Sequence, residues 1–479
     1  MPLLTKSKYI IGIQCPKYLW MVFHEKDKIP EHDKSTQFRF DQGNLVGQLA
    51  KKLYPEGINI STKDFMGNIN QTRILVDKRA TMFEAGFMNN SLYSRVDILK
   101  PAPKGQWDII EVKSSTSVKD INLHDISFQK HCLECYGLKI RKCFLMYLNN
   151  KYIKKGKISP KNLFVTEEIT AFKYVKIKEM FDIINSNVNP DTTIGRHCAD
   201  PYGCPLEGEC WGFLPEQNVF DLYRGTNAAL ELFENEVLEI KNIPEDFKLN
   251  DKQSIQKNCA ITNKPYIQKE GIKDFIKTLN YPLYYLDFET HSPAIPIYDG
   301  MRPYQRIPFQ FSLHIVQEDG TSSHHSFLAE GKEDPRPKFL EELKKLLDDK
   351  GSIVVYNQTF EISMLNELAV SFPEYNEVIK QYKDRIVDLL VPFRNFHYYH
   401  PKQAGSASIK KVLPALTGKS YDDLGINQGN DASLSFVRMI FGEDSKEEKD
   451  KIKADLEKYC KLDTEGMIWI VDELRKLIE

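Results

Sequence analysis

The sequence predicts an α/β protein of two domains, and three observations predict it. The chain has 479 residues, and at roughly 100–200 residues per domain that length suits two or three domains. Apolar runs of strand length recur in both halves, Ser94-Arg95-Val96-Asp97-Ile98-Leu99 and Trp107-Asp108-Ile109-Ile110-Glu111-Val112-Lys113 in the first, Tyr284-Tyr285-Leu286 and Ile353-Val354-Val355-Tyr356 in the second, with helical stretches between them. A cysteine-rich segment at 198–211 and a connector-like stretch after it separate the two sets.

In chain order, residues 1–150 read as mixed helix and strand. Residues 151–197 are lysine-rich with a helical stretch at 169–184, and residues 216–278 read as a connector with one helix at 220–240. A new globular unit opens near Tyr281 with an apolar strand. An amphipathic helix with an Asp334-Pro335 start signal precedes the strand at Ile353. The last helix starts near Glu447 and carries Ile452, Leu456, Met467, Ile470 and Leu474 near helical spacing. The expected division is a first domain at 1–215, a connector at 216–278 and a second domain at 279–479. There is no internal repeat and no low-complexity tract.

Hydrophobic content of 41% and charged content of 28% are ordinary for a globular protein. No apolar run approaches the roughly 20 residues of a membrane span, and residues 1–12 lack the apolar core and cleavage site of a secretory signal. The expected location is the cytoplasm, with no membrane partner. The net charge of −2 hides an asymmetry: residues 1–215 hold 31 Lys+Arg against 23 Asp+Glu, and the remainder 34 against 44. A basic half suits a polyanion, and equally a lysine-rich solvated surface. Nine cysteines without an export signal point away from a disulfide framework and toward metal where they cluster.

Asp287-Phe288-Glu289 ends an apolar strand, and side chains at i and i+2 leave a strand on one face. Two carboxylates so placed repel, and a hard divalent cation such as Mg²⁺ is their natural companion. In isolation the pair would read as a strand end facing water. Downstream, Asn357-Gln358-Thr359-Phe360-Glu361 brings a third carboxylate just after a buried strand, and Tyr459-Cys460-Lys461-Leu462-Asp463 a fourth on a helix face shared with Tyr459. Four carboxylates from four segments suit two metals about 4 Å apart, the arrangement for in-line attack at phosphorus.

These residues resemble the motifs of the DEDD exonuclease superfamily, tyrosine subclass, which has the RNase H-like fold of a mixed sheet flanked by helices. Asp287 and Glu289 match Asp-x-Glu, Asn357 to Glu361 match Asn-x-x-Phe-Asp with Glu361 in place of Asp, and Tyr459 and Asp463 match Tyr-x-x-x-Asp. The resemblance implies that Asp287, Glu289, Glu361 and Asp463 ligate Mg²⁺ or Mn²⁺ and that Tyr459 orients the attacking water. Lys410 and Lys411, in Ser-Ala-Ser-Ile-Lys-Lys-Val-Leu-Pro, read either as phosphate contacts or as solvated lysines.

In the first half, Asp97 lies on one strand and Glu111-Val112-Lys113 on the next. A lone Glu-x-Lys is usually a cross-strand ion pair; the preceding Asp strengthens a metal reading, in which the carboxylates bind the cation and the lysine stabilises phosphate charge. Asp97, Glu111 and Lys113 resemble the core of the PD-(D/E)XK nuclease superfamily, RecB-like branch, with its restriction-endonuclease-like fold. Glu84 fits an extra upstream acid, and Gln129 fits the Gln of Gln-x-x-x-Tyr, with Leu133 at the Tyr position, as a nucleic-acid contact. Gly47 stands where the branch often has a metal-binding His.

Cys198, Cys204 and Cys210 are separated by five residues each, and Cys15 stands far upstream beside Pro16. One distant cysteine plus three clustered ones resembles the AddB and CRISPR-associated RecB-like nucleases, in which four thiolates hold a [4Fe–4S] cluster. Zinc is the alternative for such thiolates and favours Cys-x₂₋₄-Cys pairs. Cys132, Cys135, Cys143, Cys259 and Cys460 read as ordinary thiols, Cys132 and Cys135 as a helix-face coincidence.

The whole chain resembles an uncharacterised bacterial and archaeal family that fuses these two domains. The resemblance implies a metal-dependent nuclease, an exonuclease on single-stranded or end-containing DNA. An exoribonuclease and a catalytically degenerate nucleic-acid-binding protein acting with a partner are the alternatives.

Overall fold

The computed structural model describes residues 2–421, 425–426 and 428–479. The chain is mixed α/β and divides into two compact units, Met1–Gly212 with Pro293–Gln305 and Phe213–Ser292 with Arg306–Glu479. The seam at 212/213 falls close to the expected 215. The segment 293–305 is a departure: it is part of the first unit, where Ala294 and Ile295 join a core with Val46, Ile98 and Ile110, and Asp299 pairs with Lys154 at 2.6 Å. An insertion of this kind leaves no periodicity signal in a sequence.

The first unit holds a seven-stranded sheet. Its strands are β1 (Leu4–Thr5), β2 (Ile58–Asn59), β3 (Met82–Asn89), β4 (Leu92–Pro101), β5 (Trp107–Lys113), β6 (Ile140–Leu148) and β7 (Phe164–Ile169). The order is β2-β3-β4-β5-β6-β7, with β1 parallel to the start of β4. β4 and β5 are antiparallel, with Ile98 opposite Ile110, so the next pair along brings Asp97 and Glu111 together. Helix Asp120–Tyr136 crosses from β5 to β6, which run parallel. Its apolar face, with Ile126, Phe128 and Leu133, packs on Val96, Ile109 and Leu145.

The second unit holds a five-stranded mixed sheet of β9 (Leu283–His291), β10 (Ile307–Val316), β11 (Ser322–Leu328), β12 (Ser352–Val355) and β13 (Ile386–Asp388) in the order β11-β10-β9-β12-β13; a small ribbon pairs β8 (Tyr266–Ile267) with β14 (Tyr398–Tyr399). β9 is central, antiparallel to β10 and parallel to β12. Its alternating side chains feed two cores. Tyr284, Leu286 and Phe288 pack with helices Arg336–Leu346 and Gln358–Ser371. Leu283 and Tyr285 pack with the 33-residue helix Lys446–Ile478. Asp287 and Glu289 continue the second row, so they face that long helix.

Two expected helices are corrected. At 169–184 the structure has Ile169 ending β7 and a helix only at Ile177–Asn185, because ladder pairing with β6 claims the first residues. At 220–240 there is one helix of nine residues, Thr226–Glu234, flanked by short 3-10 turns. The stretch is not a mere connector: it adds helices Asp251–Thr262 and Lys269–Ile276 and has a core of Val219, Leu222, Ala229, Leu232, Ile240 and Ile243. Among the described residues no helix is long and apolar enough to cross a membrane.

Candidate functional site

In the second unit the β9 carboxylates meet the long helix. Asp287, Glu289 and Asp463 each offer an oxygen within 4.8 Å of the others, the one such group of three metal-donor side chains among the described residues. Glu289 and Asp463 are buried and Asp287 is partly so. At an effective dielectric constant near 20, two unit negative charges at about 4–5 Å repel by roughly 3–4 kcal/mol. Three ionised carboxylates therefore do not sit together without a cation or protons. Burial, then the Asp463 charge, pushes Asp287 well above the usual carboxylate range. Burial and its two neighbours do the same to Glu289. Burial raises Asp463 to about 6, with the Tyr421 hydrogen bond and the Lys410 charge pulling it back. No ion pair to Lys or Arg is present at Asp287, Glu289, Glu361 or Asp463 among the described residues.

Glu361 reaches the site from the opposite core, on the first turn of helix Gln358–Ser371. It lies outside the close trio, yet near enough that the Asp287 charge adds to burial in raising its pKa. It is 1% exposed and its Oε2 has no hydrogen-bond partner. A buried orphan acceptor costs about 1–3 kcal/mol, and a cation removes that cost. The turn before it is held by Asn357, a residue in the left-handed region at φ +75°, where Asn is tolerated. The Asn357 N–H donates to Asp388 Oδ1 at 2.9 Å. The donor set of hard oxygens, the crowding and the orphan oxygen fit a divalent cation.

Tyr459 and Asp463 share a helix face as expected. Lys410, on helix Ile409–Thr417, donates from Nζ to the Tyr459 hydroxyl at 3.0 Å, so it is a partner of the site; Lys411 on the same helix is exposed. Three neighbours had no signal in the sequence. Tyr421 donates to Asp463 Oδ1 at 2.7 Å. The Cys460 thiol donates to Asp287 Oδ2 at 3.7 Å, which corrects its reading as an ordinary thiol. Asp388 supports the Glu361 turn.

The first unit assembles Asp97, Glu111 and Lys113 as expected and adds two residues. Glu111 Oε1 accepts from Lys113 at 2.8 Å and from Lys6 at 2.7 Å. Lys113 also pairs with Asp125, and Lys6 lies 3.5 Å from Asp125 Oδ1. Gln129 is fully buried, donating to Glu111 Oε2 at 2.7 Å and Asp125 Oδ1 at 2.9 Å. Its expected role as a nucleic-acid contact is corrected: the side chain is buried, its amide nitrogen is spent on carboxylates, and its Oε1 has no partner. Asp97 Oδ2 accepts from the Val112 N–H at 2.8 Å; burial and the Glu111 charge raise its pKa to about 7. Glu84 pairs instead with Lys51 at 2.8 Å and Arg95 at 3.2 Å. A Cβ at Gly47, on helix Lys34–Lys51, would meet nothing within 4 Å.

Cys15, Cys198, Cys204 and Cys210 line one cavity together with Lys17, His197, Leu206 and Trp211. Cys15 is the N-cap of helix Pro16–His24, with its sulfur accepting from Tyr18 N–H at 3.5 Å, a setting that favours thiolate. Burial outweighs this and raises the Cys15 pKa; burial also pushes Cys204 up to about 11. Four thiols that share one cavity are a donor set that soft metal ions and iron–sulfur clusters accept. A lone zinc puts thiolates about 3.8 Å apart, from tetrahedral bonds of about 2.3 Å. Among the described residues no three of these sulfurs form a group within 4.8 Å of one another. Cys132 is buried and Cys135 exposed, three positions apart on one helix.

Comparison with known proteins finds a family described as a domain of unknown function (DUF2779), whose model matches residues 284–408. That segment contains Asp287, Glu289 and Glu361 and ends before Tyr459 and Asp463. An uncharacterized protein of Mycoplasma pneumoniae is 28% identical over 281 residues, covering 54% of this chain and 39% of the relative. One from Mycoplasma genitalium is 30% identical over 244 residues, covering 47% and 35%. One from Ureaplasma parvum is 26% identical over 245 residues, covering 46% and 35%. The chain thus spans less than two fifths of the length of these relatives. The crystal structure of a protein called SSO0001 aligns over 44% of this chain and 87% of its own at 13% identity, with a TM-score of 0.21, too slight a likeness to argue from.

Proposed function

We propose that this protein is a metal-dependent nuclease whose second unit hydrolyses phosphodiester bonds, acting as an exonuclease on single-stranded or end-containing DNA. The observation that carries the reading is the meeting of Asp287, Glu289 and Asp463 within 4.8 Å, with Glu361 orphaned beside them. Their order along the chain matches the DEDD resemblance, and so do their residue types save for Glu361 in place of Asp. The five-stranded mixed sheet with helices on both faces is compatible with the RNase H-like fold that the resemblance implies.

Asp287, Glu289, Glu361 and Asp463 would hold Mg²⁺ or Mn²⁺, which supplies charge neutralisation at the phosphate and acidifies water. The chain's own groups do the positioning. Tyr421 fixes the Asp463 carboxylate by its hydrogen bond. Lys410 donates to the Tyr459 hydroxyl, whose own proton bears on Asp463; from beside that carboxylate the phenol would orient a water against the phosphate. Cys15, Cys198, Cys204 and Cys210 would hold a [4Fe–4S] cluster, whose role is to clip residue 15 to the 198–210 segment. The basic surplus of residues 1–215 suits a polyanionic substrate, and the cytoplasm is the proposed location.

The test is incubation of end-labelled single-stranded DNA and RNA with the full chain and Mn²⁺ or Mg²⁺. The proposal expects stepwise shortening of DNA, abolished by Asp287→Ala. Shortening of RNA alone would favour the ribonuclease alternative. No cleavage of either, with binding retained, would favour the binding-protein alternative.

A further inference from the structure

The RecB-like resemblance implies a divalent cation at Asp97 and Glu111, and the residues present do not fit one. Every oxygen of Glu111 is already met from within the protein, Oε1 by Lys6 and Lys113 and Oε2 by Gln129. Asp125 is met in the same way, by Gln129 on Oδ1 and Lys113 on Oδ2. Three carboxylates, Asp97, Glu111 and Asp125, face two ammonium groups. The carboxylates of the second-unit site present the opposite case, crowded together with no ion pair to Lys or Arg among the described residues.

Lys6 is held there by the fold. β1 lies parallel on β4, with Leu4 opposite Leu92 and Thr5 opposite Tyr93. Lys6 follows at once as the first residue of helix Lys6–Gln14, which Thr5 caps. Tyr9 of that helix stacks on Phe128 of helix Asp120–Tyr136, with ring centroids 4.8 Å apart, and Phe128 is followed by Gln129. The helix that delivers Lys6 is therefore seated on the helix that delivers Asp125 and Gln129. Burial works against the charge on Lys6, and Asp125 and Glu111 more than make up for it, so the ammonium stays charged.

We infer that Lys6 is a resident cation: its ammonium adds to that of Lys113 at Glu111 Oε1 and takes the role of the metal by charge at the Asp97–Glu111–Asp125 centre, which is closed to divalent ions while two ammonium groups face the three carboxylates and opens to them when Lys6 is removed and Lys113 alone remains. The inference concerns the first unit alone and does not depend on activity in the second. A doubly charged ion could share the site only by displacing Lys6 or by binding beside two ammonium groups, and the repulsion between like charges opposes the latter.

The experiment counts Mn²⁺ by electron paramagnetic resonance in the full chain carrying Asp287→Asn and Asp463→Asn, so that the second-unit site is absent from the count. With Lys6 intact the inference expects no manganese that depends on Glu111. Adding Lys6→Met should create one site per chain, lost again on Glu111→Gln. Manganese bound with Lys6 intact and lost on Glu111→Gln would overturn it. So would a folded Lys6→Met chain, judged by circular dichroism, that binds none. If Lys6→Met does not fold, Lys6→Gln, which keeps a hydrogen-bond donor without the charge, takes its place. The Lys6-intact arm tests the closed state whatever those variants do.

Discussion

At Asp463 burial raises the pKa against the pull of the Tyr421 hydrogen bond and the Lys410 charge. Its folded pKa of about 6 lies above the unfolded value of about 3.9, so the folded state binds protons more tightly. That contribution to stability is fully present below about pH 4 and is lost as pH rises through about 6. Asp287 and Glu289, also raised, add to it. The melting temperature of chelator-treated protein should therefore fall as pH rises from about 4 through about 6. The fall should be shallower in Asp463→Asn, and Mn²⁺ should raise the melting temperature most at the upper end. A metal-free melting temperature that is flat over this window, or unchanged in slope by Asp463→Asn, counts against the crowding argument. At Lys113 the sign is opposite, because that ammonium bridges Glu111 and Asp125. Removing it leaves two carboxylates short of a partner. Lys113→Ala should cost about 2–4 kcal/mol in urea unfolding, near the lower part of the range for breaking a buried pair, since its side chain is 22% exposed. A cost under about 0.5 kcal/mol would mark it as an ordinary surface lysine.

Among elements, helix Pro16–His24 ties the thiol cavity together, because its cap is Cys15. Protein purified without oxygen should be brown and carry about four iron per chain. Cys15→Ala should lose that iron as fully as Cys204→Ala, although Cys15 lies 183 positions before Cys198 in the sequence. Stoichiometric zinc without iron in such preparations would reject the cluster. The same helix shows what the sequence could disclose. Cys15 was legible through cysteine count and Pro16, and Asp287 and Glu289 through the period of β9, because a strand repeats every two residues and a helix every three or four. Tyr459 and Asp463 were legible for the same reason. Lys6, Asp125, Tyr421, Asp388 and the part played by Cys460 were not. Each meets its partner through packing between distant segments, and no local spacing encodes such a meeting. Helix 220–240 failed for a related reason: apolar residues that looked like one helical stripe serve a small core of short turns.

At the scale of the whole molecule, two compact units carry two acidic centres of opposite electrostatic character. The first is countered by its own lysines, and the second is crowded, with no ion pair to Lys or Arg among the described residues. Since 293–305 is part of the first unit, a fragment ending at 215 lacks Ala294, Ile295 and Asp299. Amide hydrogen exchange in β6 should be faster in that fragment than in the full chain, and equal protection would mean that the inserted segment contributes nothing. The central claim is that turnover belongs to the second centre. Its most direct test is the rate of end-labelled single-stranded DNA shortening at saturating substrate with Mn²⁺, compared between the wild-type chain, Asp463→Asn and Glu111→Gln, each checked for folding. The account predicts a fall of at least about a hundredfold in Asp463→Asn, the scale of losing one transition-state charge stabiliser, and a rate within a few-fold of wild type in Glu111→Gln. Cleavage that survives Asp463→Asn and disappears with Glu111→Gln would contradict it.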